Sequence, residues 1–149
     1  MTLACAGPLR VLVVEDEVML LLMLEAILTD IGHCPTLCST QADARAQMRD
    51  GACFDLAIID LGLPDGNGVG LIQALWATSP GLPVIVSTGY SELPAEPLPA
   101  ERAGRLALVA KPYGPDELEA AMRQVLGRVR QVFSSGRPVG FAGVPAQPS

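Results

Sequence analysis

The chain has 149 residues, of which half are hydrophobic and 17% are charged, and its net charge is −6. These values fit one folded domain and exclude an intrinsically disordered composition. The acidic balance disfavours binding to DNA or RNA, because nucleic-acid phosphates repel a negatively charged chain.

The first half of the chain predicts two strand–helix units. Residues 9–14 form a short apolar run that predicts a buried strand, and residues 17–31 have the period of a helix. Residues 35–39 predict a second strand. Thr40 can then cap a helix over about residues 41–50.

The second half predicts three more strands and two regular helices. The strands lie at residues 54–60, 83–88 and 104–110, and the helices at about 68–78 and from Pro115 onward, after Gly114. Between the third strand and its helix lies a turn-rich loop. Pro94, Pro97 and Pro99 predict a short, broken or mobile fourth helix, because proline removes backbone donors.

Five strands alternating with helices predict a parallel sheet covered on both faces. Right-handed crossovers narrow the topology to a doubly wound α/β sheet with the expected strand order 2-1-3-4-5. We expect a single domain over residues 9–130, preceded by an extension at 1–8. Residues 131–149, rich in glycine and proline, are expected to form a flexible tail.

Polar side chains end four of the predicted strands: Asp16, Asp60, Thr88 and Lys111. Ligands of open α/β sheets bind at that edge, and the expected order makes the first and third strands neighbours. Asp16 and Asp60 would therefore face each other, with Glu15 beside them. Clustered carboxylates repel unless a cation is present, and oxygen ligands suit Mg²⁺.

This set of side chains predicts phosphoryl chemistry. Asp60 can attack a phosphoryl group, whose charge the hydroxyl of Thr88 and the ammonium of Lys111 can stabilise. Lys111 is the only lysine in the chain. Each residue has a plainer reading as a helix cap, a turn hydroxyl or a surface lysine. The occurrence of all of them at successive strand ends favours a functional site.

These motifs resemble the receiver domain of two-component response regulators. The resemblance rests on Glu15-Asp16-Glu17, on the loop from Asp60 to Gly68, on Thr88-Gly89 and on Lys111-Pro112, and it covers about residues 9–130. It implies a flavodoxin-like fold. It also implies that the phosphoryl group comes from a phosphohistidine on a histidine kinase or a histidine phosphotransfer protein.

The resemblance also implies a role for each site residue. Asp60 would be the phosphoacceptor, and Thr88 and Lys111 would bind the phosphoryl oxygens. The bound Mg²⁺ (or Mn²⁺) would be held by the ligands Glu15, acting through water, Asp16, Asp60 and the backbone carbonyl of Gly62. The Lys111-Pro112 peptide bond would be cis.

Residues 83–90, Pro-Val-Ile-Val-Ser-Thr-Gly-Tyr, resemble a receiver subgroup with the motif Pro-Phe-x-Phe-Ala-Thr-Gly-Tyr. Common receivers carry an aromatic switch residue three positions before the lysine, and here that position is Leu108. Tyr90 is the second switch candidate. The prolines of the fourth helix weaken the usual dimer face, so we expect a monomer or a weak homodimer.

The expected output is a protein–protein contact with an unknown downstream partner, because no DNA-binding or catalytic sequence follows residue 130. Two other functions remain open. A metal-dependent aspartyl-phosphate hydrolase often has a second Asp two residues after the nucleophile, where this chain has Gly62. An unphosphorylated interaction module would not need the intact site. Met19 and Leu22, outside the core face of the first helix, are candidates for a partner surface.

The remaining features predict a cytoplasmic protein. The longest apolar run, Val18 to Leu24, is far shorter than the roughly 20 residues that span a membrane, and we expect no signal peptide. Cys34, Cys38 and His33 could form a redox or zinc site, but their spacing favours reduced thiols. Trp76 is expected to pack in the core.

Overall fold

The structure, a computed structural model, describes residues 8–89 and 105–133, without the side chains of Asn67 and of residues 127–133. Within these residues, strands and helices alternate along the chain. The elements are β1 (Arg10–Val14), α1 (Val18–Asp30), β2 (Cys34–Cys38), α2 (Gln41–Arg49), β3 (Leu56–Asp60), β4 (Gly62–Leu63), β5 (Gly66–Asn67), α3 (Gly68–Thr78), β6 (Val84–Thr88), β7 (Leu106–Ala110) and α4 (Pro115–Phe133).

Five strands form one parallel sheet in the order β2-β1-β3-β6-β7. This order confirms the predicted doubly wound topology. The strand pairs are in register, with Val14 opposite Ile59, Asp60 opposite Ser87, and Thr88 opposite Ala110. The carboxyl ends of β1, β3, β6 and β7 therefore lie at one edge of the sheet.

Two apolar clusters cover the two faces of the sheet. On one face the sheet packs against α2 and α3, and the cluster includes Trp76, as predicted. On the other face it packs against α1 and α4. Every residue of β3 and β6 is buried because these central strands are covered on both sides.

Helix α1 follows the predicted amphipathic pattern. Leu24 and Leu28 are buried, and Leu20, Met23 and Ile27 pack against the same core. Three apolar side chains near its start remain exposed: Val18 at 66%, Met19 at 79% and Leu22 at 51%. None of the helices within residues 8–89 and 105–133 combines the length and apolarity needed to cross a membrane.

Several boundaries differ from the sequence prediction. The second strand begins at Cys34 instead of residue 35, since its register is set by hydrogen bonds to β1. The loop after β3 contains an antiparallel hairpin, β4–β5, that its turn residues did not predict. Helix α4 includes residues 131–133, which were predicted to belong to the tail. The proline-rich segment, Tyr90 and residues 134–149 lie outside the described residues.

Gly68, at the start of α3, lies against the end of β3. A Cβ atom at this position would lie 2.6 Å from the backbone oxygen of Asp60, closer than atoms can approach. We therefore expect Gly68→Ala to lower the free energy of unfolding by about 1–3 kcal/mol, the usual cost of overpacking. Urea unfolding measures this change.

Gly70 provides the matched control for that substitution. It lies in the same helix, and the nearest atom to a Cβ there is Arg45 Nη2 at 3.9 Å. Because alanine favours helix over glycine, Gly70→Ala should be neutral or stabilising. Equal destabilisation by both substitutions would show that the contact with Asp60 is not the cause.

Candidate functional site

One row of polar side chains crosses the carboxyl edge of the sheet. Glu15 follows β1, and Asp60 and Ser87 lie opposite each other on β3 and β6. Side chains alternate between the two faces of a strand, so these three point to the face that packs against α1 and α4. Glu15, Asp60 and Ser87 are each only 1% exposed. The sheet therefore buries two carboxyl groups side by side.

Lys111 crosses to these carboxyl groups from the end of β7. Its Nζ lies 3.2 Å from Asp60 Oδ2 and 3.4 Å from both oxygens of Glu15, and 4.0 Å from Glu17 Oε1. The Lys111 amide donates to the carbonyl of Thr88, and the Lys111-Pro112 bond is cis, as predicted. These contacts bring the chain's only lysine onto the candidate phosphoacceptor.

Backbone hydrogen bonds hold the loop that follows Asp60. The amide of Gly62 donates to Asp60 Oδ1 at 3.0 Å, and the amide of Leu61 donates to the carbonyl of Ser87. The amide of Gly68 donates to the carbonyl of Leu61. One oxygen of Asp60 thus faces the loop, while the other faces Lys111.

Asp65 ties the same loop to helix α2. Its two carboxylate oxygens accept hydrogen bonds from the amides of Gln41 and Ala42 at 3.0 and 3.1 Å. The Thr40 hydroxyl accepts the next amide, that of Asp43, as a side-chain cap. These backbone hydrogen bonds are the main reason that the pKa of Asp65 is lowered. The loop residue thereby completes the first turn of α2.

Burial and charge shift the pKa of two site residues. Burial raises the pKa of Glu15 to about 7, and the negative charge of Asp60 adds to the rise, although the Glu17 amide and Lys111 oppose it. Burial alone would lower the pKa of Lys111, but the charges of Glu15 and Asp60 outweigh burial and raise it. The site therefore holds more negative charge than one ammonium neutralises.

This charge imbalance fits a divalent cation. Ligand oxygens of Glu15, Asp16 and Asp60 all lie within 4.8 Å of one another, and Asp16 is the exposed member. Glu15 Oε1 is buried and makes no hydrogen bond within the described residues. Three carboxylates grouped this closely match the hard oxygen ligands that Mg²⁺ takes.

Of the other predicted residues, Thr88, Gly62 and Leu108 belong to the described part of the chain. Thr88 is buried, and its hydroxyl donates to the carbonyl of Gly89 at 3.0 Å, so in this conformation it is turned to its own backbone. Gly62 is exposed at the start of the hairpin. Leu108 lies on the edge strand β7 with its side chain 53% exposed, and Tyr90 lies outside the described residues.

Tyr113 and Ser87 are two further polar residues of the site that the sequence did not predict. Both hydroxyl groups are buried, and neither makes a hydrogen bond within the described residues. Burial raises the pKa of Tyr113 to about 12; the Ser87 hydroxyl opposes this rise, and the charges of Glu15, Lys111 and Asp60 also act on it. The available signal was the position of Tyr113 directly after Lys111-Pro112, at the predicted site.

Among the described residues, the cysteines do not form a metal site with His33. His33 Nδ1 accepts a hydrogen bond from the Leu9 amide, and Cys34 and Cys38 stand at opposite ends of β2. Cys34, Cys38 and Cys53 are all free thiols. Burial, with the charge of Asp43, raises the pKa of Cys38 to about 11, which keeps this thiol unreactive.

Comparison with known proteins gives consistent matches. The model of the response regulator receiver domain matches residues 11–123. The chain is 29% identical over 125 residues to the transcriptional regulatory protein ZraR of Salmonella typhimurium, which covers 84% of this chain and 28% of ZraR. It is 34% identical over 126 residues to the virulence transcriptional regulatory protein PhoP of the same species, covering 80% of this chain and 53% of PhoP.

One solved structure matches this chain over nearly the whole length of the solved protein. The CheY-like receiver domain protein from Methanospirillum hungatei JF-1 is 26% identical, with a TM-score of 0.69, and the match covers 84% of this chain and 99% of that one. By contrast, the chain spans only about a quarter to a half of the two regulatory proteins. The family match covers most of the chain, and the fold and the buried acidic site agree with it. The chain belongs to the response regulator receiver family.

Proposed function

We propose that the chain accepts a phosphoryl group on Asp60 and signals through protein contacts made by the receiver domain. The observation that carries this proposal is the contact of Lys111 Nζ with Asp60 Oδ2 at 3.2 Å, beside the buried Glu15. Residues from β1, β3 and β7 meet there. Neither a structural salt bridge nor a helix cap requires two additional acidic residues around the same aspartate.

In the proposed reaction, a carboxylate oxygen of Asp60 attacks the phosphorus of a phosphohistidine. The P–N bond breaks, the imidazole of the donor leaves, and an acyl phosphate remains on Asp60. Lys111 stabilises the charge that spreads over the phosphoryl oxygens, and Thr88 joins it once its hydroxyl leaves the carbonyl of Gly89.

We further propose that Asp16, Asp60 and the carbonyl of Gly62 hold Mg²⁺ directly, with Glu15 acting through water. The bound cation would supply positive charge for the phosphoryl oxygens. Mn²⁺ has the same ligand preferences and should substitute for it. The grouping of ligand oxygens of Glu15, Asp16 and Asp60 within 4.8 Å of one another supports this assignment.

The test is incubation with Mg²⁺ and either acetyl phosphate or beryllofluoride, followed by intact mass spectrometry or binding analysis. We expect one adduct per chain in the wild type and none in Asp60→Asn, because the amide lacks the attacking charge. Asp55→Asn removes an exposed carboxylate on the same segment, paired only with Arg10 among its described contacts, and should leave the adduct intact.

The same experiment separates the two other functions. Continuous release of phosphate at many turnovers per chain would favour an aspartyl-phosphate hydrolase. An absence of adduct in the wild type would favour an unphosphorylated interaction module. Either result would contradict the proposal.

We also propose that the exposed apolar side chains Val18, Met19 and Leu22 dock a helix of the phosphodonor protein. These residues follow Asp16 directly and lie at the start of α1, next to the acidic site. The family implies a histidine kinase or a histidine phosphotransfer protein as partner. A donor histidine that must reach Asp60 would bring its own helix against this patch.

We expect Met19→Glu with Leu22→Glu to slow phosphoryl transfer at least about tenfold from a phosphohistidine protein that phosphorylates the wild type, since the charges remain unsatisfied in an apolar contact. Uptake from acetyl phosphate should stay unchanged. Ile31→Glu, at the far end of the helix and 40% exposed, is the control. Equal rates for patch and control variants with the protein donor would refute the docking surface.

We propose that the protein is located in the cytoplasm. The three described cysteines are free thiols, and thiols stay reduced in that compartment. We propose a monomer or a weak homodimer as its oligomeric state.

A further inference from the structure

Two buried hydroxyl groups adjoin the acidic site without hydrogen bonds of their own. Ser87 is 1% exposed and Tyr113 is 8% exposed, and neither hydroxyl has a partner within the described residues. A buried hydroxyl without a partner is unfavourable. Each hydroxyl has two lone pairs, so both have room to accept a hydrogen bond from a donor that reaches them in another state of the site.

Their position points to Lys111 as that partner. Ser87 lies opposite Asp60 in the sheet, and Tyr113 follows Lys111 by two residues. Tyr113 belongs to the cluster on the face of the sheet to which Glu15 and Asp60 point, and Ser87, two residues after Ile85, points to the same face. Lys111 is the described cation nearest to this pair of carboxylates.

The resting contacts of Lys111 cannot all persist when the site is loaded. Its ammonium now binds oxygens of Glu15 and Asp60. Those oxygens belong to the same group that can hold a divalent cation. A cation bound there repels the ammonium and competes for its acceptors, and the ammonium has three donors to satisfy.

We propose that the hydroxyl groups of Ser87 and Tyr113 are positioning groups for Lys111, which accept hydrogen bonds from its ammonium when a divalent cation binds the carboxylates. Both hydroxyls can accept, and both lie on the face of the sheet that Lys111 crosses. They hold the ammonium near Asp60 instead of letting it turn to solvent. This inference rests on the proposed function, because a positioned Lys111 matters only if Asp60 takes a phosphoryl group.

The only lysine of the chain provides a selective probe. Protein labelled with ¹³C and ¹⁵N in lysine gives NMR signals from Lys111 alone. In the wild type, adding Mg²⁺ should shift the Cε signal while the ammonium protons remain protected from exchange with water. In Tyr113→Phe and in Ser87→Ala, exchange in the Mg²⁺-loaded protein should be about three- to tenfold faster, as expected for one lost hydrogen bond.

Several controls separate positioning from structure. Tyr113→Phe keeps the buried ring, and thermal unfolding checks that the fold persists. Thr36→Val removes a hydroxyl from the distant edge strand β2 and should change nothing. In the double variant, the effect should be smaller than the product of the single effects, because both hydroxyls serve one ammonium.

The outcomes are distinct. If the ammonium protons of both Mg²⁺-loaded variants exchanged at the wild-type rate, the inference would be overturned. It would also be overturned if the variants accelerated exchange equally without Mg²⁺, because that result would indicate a purely structural role. A protein whose Lys111 depends on the two hydroxyls but which forms no adduct with beryllofluoride would overturn the proposed function and leave the positioning of Lys111 supported.

Discussion

Lys111→Met should slow the uptake of a phosphoryl group from acetyl phosphate by about 100-fold or more, the usual effect of losing one preorganised charge at a transition state. Lys111 is the cation that contacts both buried carboxylates among the described residues. Methionine keeps the length of the side chain but not its charge. The rate of adduct formation, followed by intact mass, measures the effect.

Two variants test whether charge alone is responsible. Arg10→Gln removes a positive charge from an exposed pair with Asp55 and should leave the rate within about twofold, since such pairs contribute little. Lys111→Arg keeps the charge but replaces a compact ammonium by a planar fork, and should give an intermediate rate. A wild-type rate in Lys111→Met would remove Lys111 from the reaction.

In Mg²⁺-free buffer, the contribution of Glu15 to stability should fall as the pH rises from about 4.5 to about 7. Burial raises its pKa from 4.5 to about 7 in the folded protein, so over this range the folded state holds a proton that the unfolded state has lost. Stability decreases with pH wherever the folded state binds more protons. Thermal unfolding across this pH range measures the contribution.

Glu15→Gln is the matched variant, because it keeps the shape but cannot titrate. The difference between wild type and variant isolates Glu15 from His33, whose lowered pKa acts with the opposite sign by destabilising the fold as the pH falls. A pH-independent difference would show that the pKa of Glu15 is not raised.

Mg²⁺ should reverse this trend. A cation favours the ionised form of Glu15, so the increase in unfolding temperature on adding Mg²⁺ should be larger at pH 8 than at pH 5.5. Below about pH 7, apparent Mg²⁺ affinity should fall by up to about tenfold per pH unit, since one proton must leave. Glu15→Gln should flatten this dependence.

Local patterns in the sequence were sufficient for much of the architecture. The alternation of apolar runs and helical periods predicted the five-stranded parallel sheet, because burial on both faces demands continuous apolar strands. The strand order followed from the rule that crossovers between parallel strands are right-handed. Each strand-end polar residue could be named, since its position at the end of a run is a local property. The start of α4 at Pro115 followed from the same kind of signal, and there the Glu117 side chain accepts from the Gly114 amide.

Contacts between distant parts of the chain required the folded structure. Lys111 and Glu15 are 96 positions apart, and only the packed sheet shows that Glu15 is the buried carboxylate in contact with it while Asp16 remains exposed. The capping of α2 by Asp65 and the burial of the Ser87 and Tyr113 hydroxyls likewise depend on contacts between distant parts of the chain.

The succession of strands and helices, and the residue types at the strand ends, could be read from the sequence, because both depend on local patterns of burial. The tertiary structure alone decided how those side chains meet, which of them lose contact with water and which hydroxyls are left without partners. Such pairings depend on the twist and register of the whole sheet and on loop packing, for which no short stretch of sequence carries a signal.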